Sequence, residues 1–177
     1  MAWRPSGDRP EPIGQSELLD RAWRFAYAAH EGERSRGDTR IGHPTAVALL
    51  LLREHAAEDV VAAALLHDVL EDTTVDRDEL EGSFGVGIAT LVCALSEDAS
   101  IDDYAERKAH LREQVARGGP DAALIFLADK LARLNALEGP VSALPAPKLE
   151  HYRRTLALLS RAYPELPFIE ELAGRLA

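Results

Sequence analysis

The sequence has few of the features that cross-link a chain or anchor it to a membrane. Among 177 residues there is a single cysteine, Cys93, so no disulfide can form within the chain and a cysteine-based zinc site is not expected. The longest apolar runs, of which Ala46 to Leu52 is one, are far shorter than the roughly 20 residues that a membrane-spanning helix needs. Residues 1–14 lack the apolar core of a signal peptide. We therefore predict a cytoplasmic protein that spans no membrane.

Positive charge is also scarce. The chain has 30 acidic residues against 20 lysines and arginines, a formal net charge of −10. This balance argues against a protein that coats nucleic acid or an anionic membrane. A small anionic substrate is compatible with it if a cation or local arginines and lysines neutralise the site. The length and the 46% hydrophobic content suit one compact domain, which we place at residues 15–177 after a flexible segment at 1–14. The oligomeric state stays open.

Helical periodicity runs through the whole sequence, and no segment alternates as a strand would. The spacing predicts a first helix over 15–31 with Ser16 as its N-cap, and a second from His43-Pro44 to about residue 55, with proline in the tolerant first turn. Further helices are predicted at about 58–71, 75–84, 86–97, 101–116, 121–137, 148–162 and 167–176. The sequence therefore predicts an all-α bundle of about eight to ten helices.

The run His67-Asp68-Val69-Leu70-Glu71-Asp72 is the most informative motif. In one continuous helix, residues four apart share a face, so His67 would lie over Glu71 and Asp68 over Asp72. The apolar stretch 60–66 leads into this run and indicates a buried helix, in which unpaired charges are costly. Charged groups in such a position usually hold a metal or take part in catalysis.

Asp129 is a second unusual carboxylate, because it lies in the apolar stretch 124–131. Burying it is costly unless it meets a cation. A divalent metal bound by nitrogen and oxygen needs ligands from separate elements, and His43, the His67-Asp68 pair and Asp129 offer them. The alternatives are a salt bridge from Asp129 to an arginine or lysine and a capping role for His43.

The order of these residues resembles the HD-domain superfamily of metal-dependent phosphohydrolases. The segments 43–44, 63–73, 84–85 and 127–131 resemble, more specifically, the hydrolase domain of the RelA/SpoT homologue family. In length the chain is similar to the stand-alone members of that family, the small alarmone hydrolases. The resemblance implies an all-helical HD-domain fold. It also implies removal of the 3′-pyrophosphate from guanosine tetra- and pentaphosphate (ppGpp and pppGpp) with manganese, or with another divalent metal.

The same resemblance assigns roles to individual residues. The implied metal ligands are His43, His67, Asp68 and Asp129. The implied catalytic carboxylates are Glu71 and Asp72, either of which can accept a proton from the attacking water. A bound metal would lower the pKa of water and screen the polyphosphate. The candidate substrate contacts are Arg34, Arg36, Arg133, Lys148 and Tyr152, for which a solvated surface position is the main alternative.

The chain departs from the family pattern near the expected nucleotide pocket. Arg40 stands where a tyrosine is usual, Ala132-Arg133 where His-Asn or Tyr-Asn is common, and the apolar Ile125 and Phe126 where a lysine is expected. Two kinds of alternative follow. One is an enzyme for an adenosine alarmone (ppApp) or another phosphorylated nucleotide. The other is a non-catalytic nucleotide-sensing module, against which the presence of both catalytic carboxylates argues.

Overall fold

The computed structural model describes residues 9–31 and 41–177, and within them every regular element is helical. The predicted all-α class is thereby confirmed. Backbone contacts divide the chain into two units, one ending at Ser96 and the other beginning at Glu97. In the described ranges, no helix has both the length and the apolar character needed to cross a membrane.

The first unit is organised around one buried helix. Its helices in the described residues are α1 (Glu11–Gly14), α2 (Glu17–Glu31), α3 (Gly42–Arg53), α4 (Glu58–Leu66), α5 (Val69–Asp72) and α6 (Arg77–Leu95). Helix α4 packs against α2, α3 and α6, and every residue from Val60 to Leu66 is buried. A helix that is apolar on all faces needs partners on all sides, and this requirement places α4 at the centre of the unit.

Local signals account for several boundaries in this unit. The Leu19 amide donates to Ser16 Oγ over 3.3 Å at the start of α2, which confirms the predicted N-cap. Gly85 has φ 84° and ψ 161° inside α6, a conformation that favours glycine, and the predicted helix end at Gly85 is thereby confirmed. Helix α1 was not predicted, because four residues are too few for a periodic pattern. Its Ile13 is fully buried.

The second unit also has a buried central helix. Its helices are α7 (Tyr104–Arg117), α8 (Pro120–Asn135), α9 (Ala146–Ala162) and α10 (Ile169–Leu176), with a short 3₁₀ turn at Val141–Ala143. Helix α8 packs against α7, α9 and α10. At the start of α7 the Asp103 side chain accepts a hydrogen bond from the Glu106 amide over 2.8 Å. The predicted boundaries of these four helices agree with the structure to within three residues.

Candidate functional site

The motif at 67–72 lies at a helix junction, not within one helix as predicted. Helix α4 ends at Leu66 and α5 begins at Val69. Asp68 has φ −92° and ψ −8°, and its carbonyl accepts hydrogen bonds from the amides of both Glu71 (3.2 Å) and Asp72 (2.9 Å). The backbone thus begins a new, single-turn helix at this point. The prediction of a continuous helix over 58–71 was wrong, and the stacking of His67 over Glu71, which was derived from it, stays a prediction.

His67 is fixed by a backbone hydrogen bond and is only 6% exposed. Its Nδ1 lies 2.7 Å from the carbonyl oxygen of Ala64, so Nδ1 carries the hydrogen and Nε2 keeps a lone pair in the neutral ring. Metal-binding histidines commonly make this backbone contact with the nitrogen that does not bind the metal. This hydrogen bond therefore fixes the neutral ring in the tautomer with its hydrogen on Nδ1, and Nε2 is the candidate ligand atom.

The Nε2 atom of His67 lies 3.0 Å from Oδ1 of Asp68. When the imidazole is neutral, both atoms are electron-pair donors, and a cation shared between them satisfies both. His43 is close by: its ring centroid lies 5.4 Å from that of His67, and a ring nitrogen of each lies within 4.8 Å of the other. Two imidazole nitrogens and a carboxylate oxygen form a donor set that fits a divalent metal ion.

The position of His43 depends on contacts that the sequence did not reveal. Thr45 donates its hydroxyl hydrogen to the Ile41 carbonyl over 2.7 Å, and Trp23 Nε1 donates to the Thr45 hydroxyl oxygen over 3.1 Å. These two hydrogen bonds hold the first turn of α3 against α2. His43 lies in that turn, so Trp23 and Thr45 are positioning residues for it.

The two candidate catalytic carboxylates lie on α5. Glu71 is exposed and Asp72 is half-buried. Thr73 closes the helix: its hydroxyl donates to the Val69 carbonyl over 2.7 Å and accepts from the Val75 amide over 3.1 Å. Helix α5 ends at Asp72, within one residue of the helix end predicted at 71. The contacts of Thr73 fix the turn that carries both carboxylates.

Asp129 belongs to the second unit, where it is 5% exposed on α8. Arg133 Nε donates to its Oδ1 over 2.9 Å, and Lys130 Nζ donates to its Oδ2. The salt bridge considered as the alternative for Asp129 is therefore present, and the carboxylate is charge-compensated within its own helix. Arg133, a candidate substrate contact, is one of the two cations that pair with Asp129, and 40% of its side chain is exposed.

Lys130 is a functional candidate that sequence reasoning missed. Its side chain is almost fully buried, with the ammonium group 3.6 Å from the ring centroid of Phe126 and 5.8 Å from that of Tyr152. Burial lowers the pKa of Lys130, and the neighbouring Asp129 carboxylate acts in the opposite direction. The sequence signal that could have identified Lys130 is its position next to Asp129 inside an apolar stretch, where two adjacent charges are unusual.

Lys148 and Tyr152 lie one turn apart on α9, as predicted, with the Lys148 ammonium 6.0 Å from the Tyr152 ring centroid. Burial raises the pKa of the Tyr152 hydroxyl and lowers the pKa of Lys148. In the described part of the chain the Tyr152 hydroxyl has no hydrogen-bond partner. Three cations, Lys130, Lys148 and Arg133, thus accompany the one carboxylate of Asp129 and could take up phosphate charge.

The remaining predicted residues, Arg34 and Arg36, lie outside the described residues, as does Arg40.

Comparisons with known proteins identify the family. The HD domain family model matches residues 22–156. The mouse protein named guanosine-3′,5′-bis(diphosphate) 3′-pyrophosphohydrolase MESH1 is 39% identical over 129 residues, which are 69% of this chain and 70% of that protein. Its human counterpart is 39% identical over 127 residues, with the same coverage.

A solved structure shows the same fold over almost the full length. It is described as a metazoan ortholog of SpoT that hydrolyzes ppGpp and plays a role in starvation responses. It superposes with a TM-score of 0.74 at 26% identity and covers 96% of both chains. The chain therefore belongs to the HD-domain family and, within it, to the group of hydrolases that includes the MESH1 proteins.

Proposed function

We propose that the chain is a metal-dependent pyrophosphohydrolase that removes the 3′-pyrophosphate from guanosine 3′,5′-bis(diphosphate), ppGpp, and from its pentaphosphate, pppGpp. The observation that carries the proposal is the α4–α5 junction. There Nε2 of His67 and Oδ1 of Asp68 lie 3.0 Å apart, one turn before Glu71 and Asp72, in a chain 39% identical to proteins named for this reaction.

The proposed metal ligands are His43, His67, Asp68 and Asp129. Nitrogen and carboxylate donors of this kind suit Mn²⁺ and other divalent first-row ions, and we propose Mn²⁺ as the cofactor. The approach of the two histidine rings and the 3.0 Å contact with Asp68 support three of the ligands. The burial of Asp129 and its place within the HD domain match support the fourth.

Each group of residues has a distinct chemical task. A bound divalent cation supplies Lewis acidity and charge neutralisation at the phosphates. Glu71 or Asp72 accepts a proton from the water that attacks the 3′-pyrophosphate. The water oxygen bonds to the phosphorus, the bond between phosphorus and the ribose 3′-oxygen breaks, and the 3′-oxygen takes up a proton. The products are pyrophosphate and guanosine 5′-diphosphate from ppGpp, or guanosine 5′-triphosphate from pppGpp. Lys130, Arg133 and Lys148 hold the phosphate oxygens, a task for which arginine has paired donors.

We propose residues 15–177 as a single HD domain acting in the cytoplasm. The family match, which runs from residue 22 to residue 156, supports the domain assignment. Arg34, Arg36 and Tyr152 complete the proposed substrate contacts.

An adenosine alarmone is the second candidate substrate. Phe126 is buried and packs against Lys130, in the segment where the family resemblance leads one to expect a lysine. An apolar residue in place of a lysine beside the proposed phosphate contacts is more apt to change which nucleotide is bound than to change the hydrolysis reaction.

Pyrophosphate release from ppGpp and from ppApp, measured side by side with Mn²⁺, tests the proposal. Selective release from the guanine nucleotide supports it, and release from the adenine nucleotide alone replaces the substrate while keeping the reaction. Tight binding of either nucleotide without release would instead identify a sensing module.

A further inference from the structure

The second unit contains a cavity that shares none of the residues assigned to hydrolysis. It is partly open to solvent and has a volume of about 110 Å³ between α7 and α9, several times the roughly 10–15 Å³ that one water molecule needs. The polar side chains that line it are Tyr104, Lys108, Arg112, Glu150, His151 and Arg154. The cavity therefore offers several charged side chains within a largely apolar lining and is large enough for a small ion together with water.

Arg112 is the unusual group in this cavity. It is only 8% exposed, and within the described residues its one hydrogen bond runs from Nη1 to Nδ1 of His151 over 2.9 Å. No carboxylate of the described ranges forms an ion pair with it. A guanidinium keeps its charge in a protein, and a buried charge without a counter-charge is costly. Burial and, next, the nearby Arg154 charge lower the pKa of Arg112, and the charges of Glu113 and Glu150 act in the opposite direction without outweighing them.

His151 cannot supply the missing negative charge. Because Nδ1 accepts from Arg112, this nitrogen carries no hydrogen, and the neutral ring has its hydrogen on Nε2. Burial, followed by the charges of Lys130, Lys108 and Arg112, holds the pKa of His151 far below its usual range. The ring is also fixed in place, since it is 4% exposed and lies 6.0 Å from the Phe126 ring.

The cavity as a whole is positive, although the chain carries a net charge of −10. Three cations line it, Lys108, Arg112 and Arg154, against one carboxylate, Glu150. That carboxylate is already engaged, since its Oε1 accepts from Arg154 Nε over 2.7 Å. The Lys108 ammonium contacts Glu97, which lies outside the cavity lining. The N–H groups of Arg112 that His151 does not use and the terminal N–H groups of Arg154 are the donors left for a ligand.

We propose that this cavity binds a phosphoryl group, either free inorganic phosphate or a phosphate of a nucleotide. Guanidinium groups match the oxygens of a phosphate with paired hydrogen bonds. A phosphate also supplies the direct ion-pair partner that Arg112 lacks among the described residues. The inference does not depend on the proposed hydrolysis, because phosphate binding is measured without any turnover.

The test is calorimetric titration of inorganic phosphate into the full-length protein and three variants, Arg154→Gln, Arg112→Gln and Arg153→Gln. Loss of a charged hydrogen-bond donor is expected to weaken binding by about 10-fold for Arg154→Gln and Arg112→Gln. Arg153 is exposed on the same helix and does not line the cavity. Its variant removes the same charge and is expected to bind phosphate as the wild type does.

A second measurement separates the two sources of phosphate. If the ligand is a phosphate of the nucleotide substrate, Arg154→Gln raises KM for ppGpp about 10-fold and leaves kcat unchanged. If the ligand is free phosphate, only the titration changes. Phosphate affinity and KM that both stay at wild-type values in Arg154→Gln would overturn the proposal. Arg154 is 64% exposed, so this variant gives an answer even if Arg112→Gln does not fold.

Discussion

The central helices of the two units, α4 and α8, differ in whether their buried stretch contains charged residues. In α4 the buried stretch from Val60 to Leu66 is entirely apolar, and the charged motif begins only where the helix ends. In α8 the charges of Asp129 and Lys130 lie among buried apolar residues and compensate each other. The first unit therefore has an apolar central helix, and its candidate metal-binding and catalytic residues lie after the C-terminal end of that helix. The second unit makes charged groups part of its core.

The largest effect is expected at the junction after α4. Asp68→Ala removes a proposed metal ligand, so the protein should lose bound Mn²⁺, and pyrophosphate release should fall by at least about 10³-fold. Metal analysis and the release assay measure the two effects together. Asp59→Ala, at an exposed position on α4, is the matched control and should keep metal and activity. A full metal complement in Asp68→Ala would refute the ligand assignment.

A smaller loss is expected on α5. Glu71→Gln keeps the shape of the side chain but removes a proton acceptor, so turnover should fall by at least about 10²-fold while the metal stays bound. Glu71 is exposed, and thermal unfolding should therefore stay at the wild-type temperature. Glu81→Gln, on the surface of α6, controls for the lost charge. Turnover close to the wild-type rate would show that Asp72, not Glu71, is the proton acceptor.

In α8 the expected effect is on stability. Lys130→Met leaves the buried Asp129 carboxylate with Arg133 as its remaining charged neighbour among the contacts described above. The free energy of unfolding should fall by about 1–3 kcal/mol, since a buried charge loses part of its compensation. Urea unfolding measures this value. Arg153→Met, on the surface of α9, should change it by less than about 0.5 kcal/mol. An unchanged unfolding free energy in Lys130→Met would break the contrast between the two helices.

The smallest expected effect is a pH-dependent loss of stability at Glu97, the first residue of the second unit. Burial raises the pKa of Glu97, but hydrogen bonds from Lys108 and Arg107 outweigh it, and the pKa lies below its ordinary value. A carboxyl with a lowered folded pKa adds stability above its unfolded pKa, and this stability is lost as the pH falls through the folded pKa. Glu97→Gln should therefore destabilise the protein by about 0.5–1 kcal/mol at neutral pH.

Urea unfolding of Glu97→Gln and the wild type at several pH values tests this expectation. The difference in unfolding free energy should be constant well above the ordinary pKa of a glutamate, should shrink as the pH falls below it, and should vanish below the lowered pKa of the folded state. A difference that persists in acid would show that the packing of the side chain, not its charge, accounts for the effect.

Local signals made much of the fold predictable. Ser16 caps α2 and Gly85 interrupts α6 because both effects act over a few neighbouring residues. The pairing of Asp129 with Arg133 was also within reach, since residues four apart in a helix lie side by side. The burial of Ile13 in the single turn of α1 could not be predicted, because it depends on the packing of α1 against α2.

The sequence by itself determined the helical class, the family resemblance and the residue types offered for metal binding and catalysis. These properties follow from periodicity, capping and the order of residues along the chain. Only the tertiary structure decided that the motif divides between two helices at residues 67–68, that the His43 and His67 rings lie 5.4 Å apart, and that Arg112 meets His151 across 39 positions of sequence. Such contacts join residues from different helices, and their geometry depends on how whole helices pack, which no local pattern records.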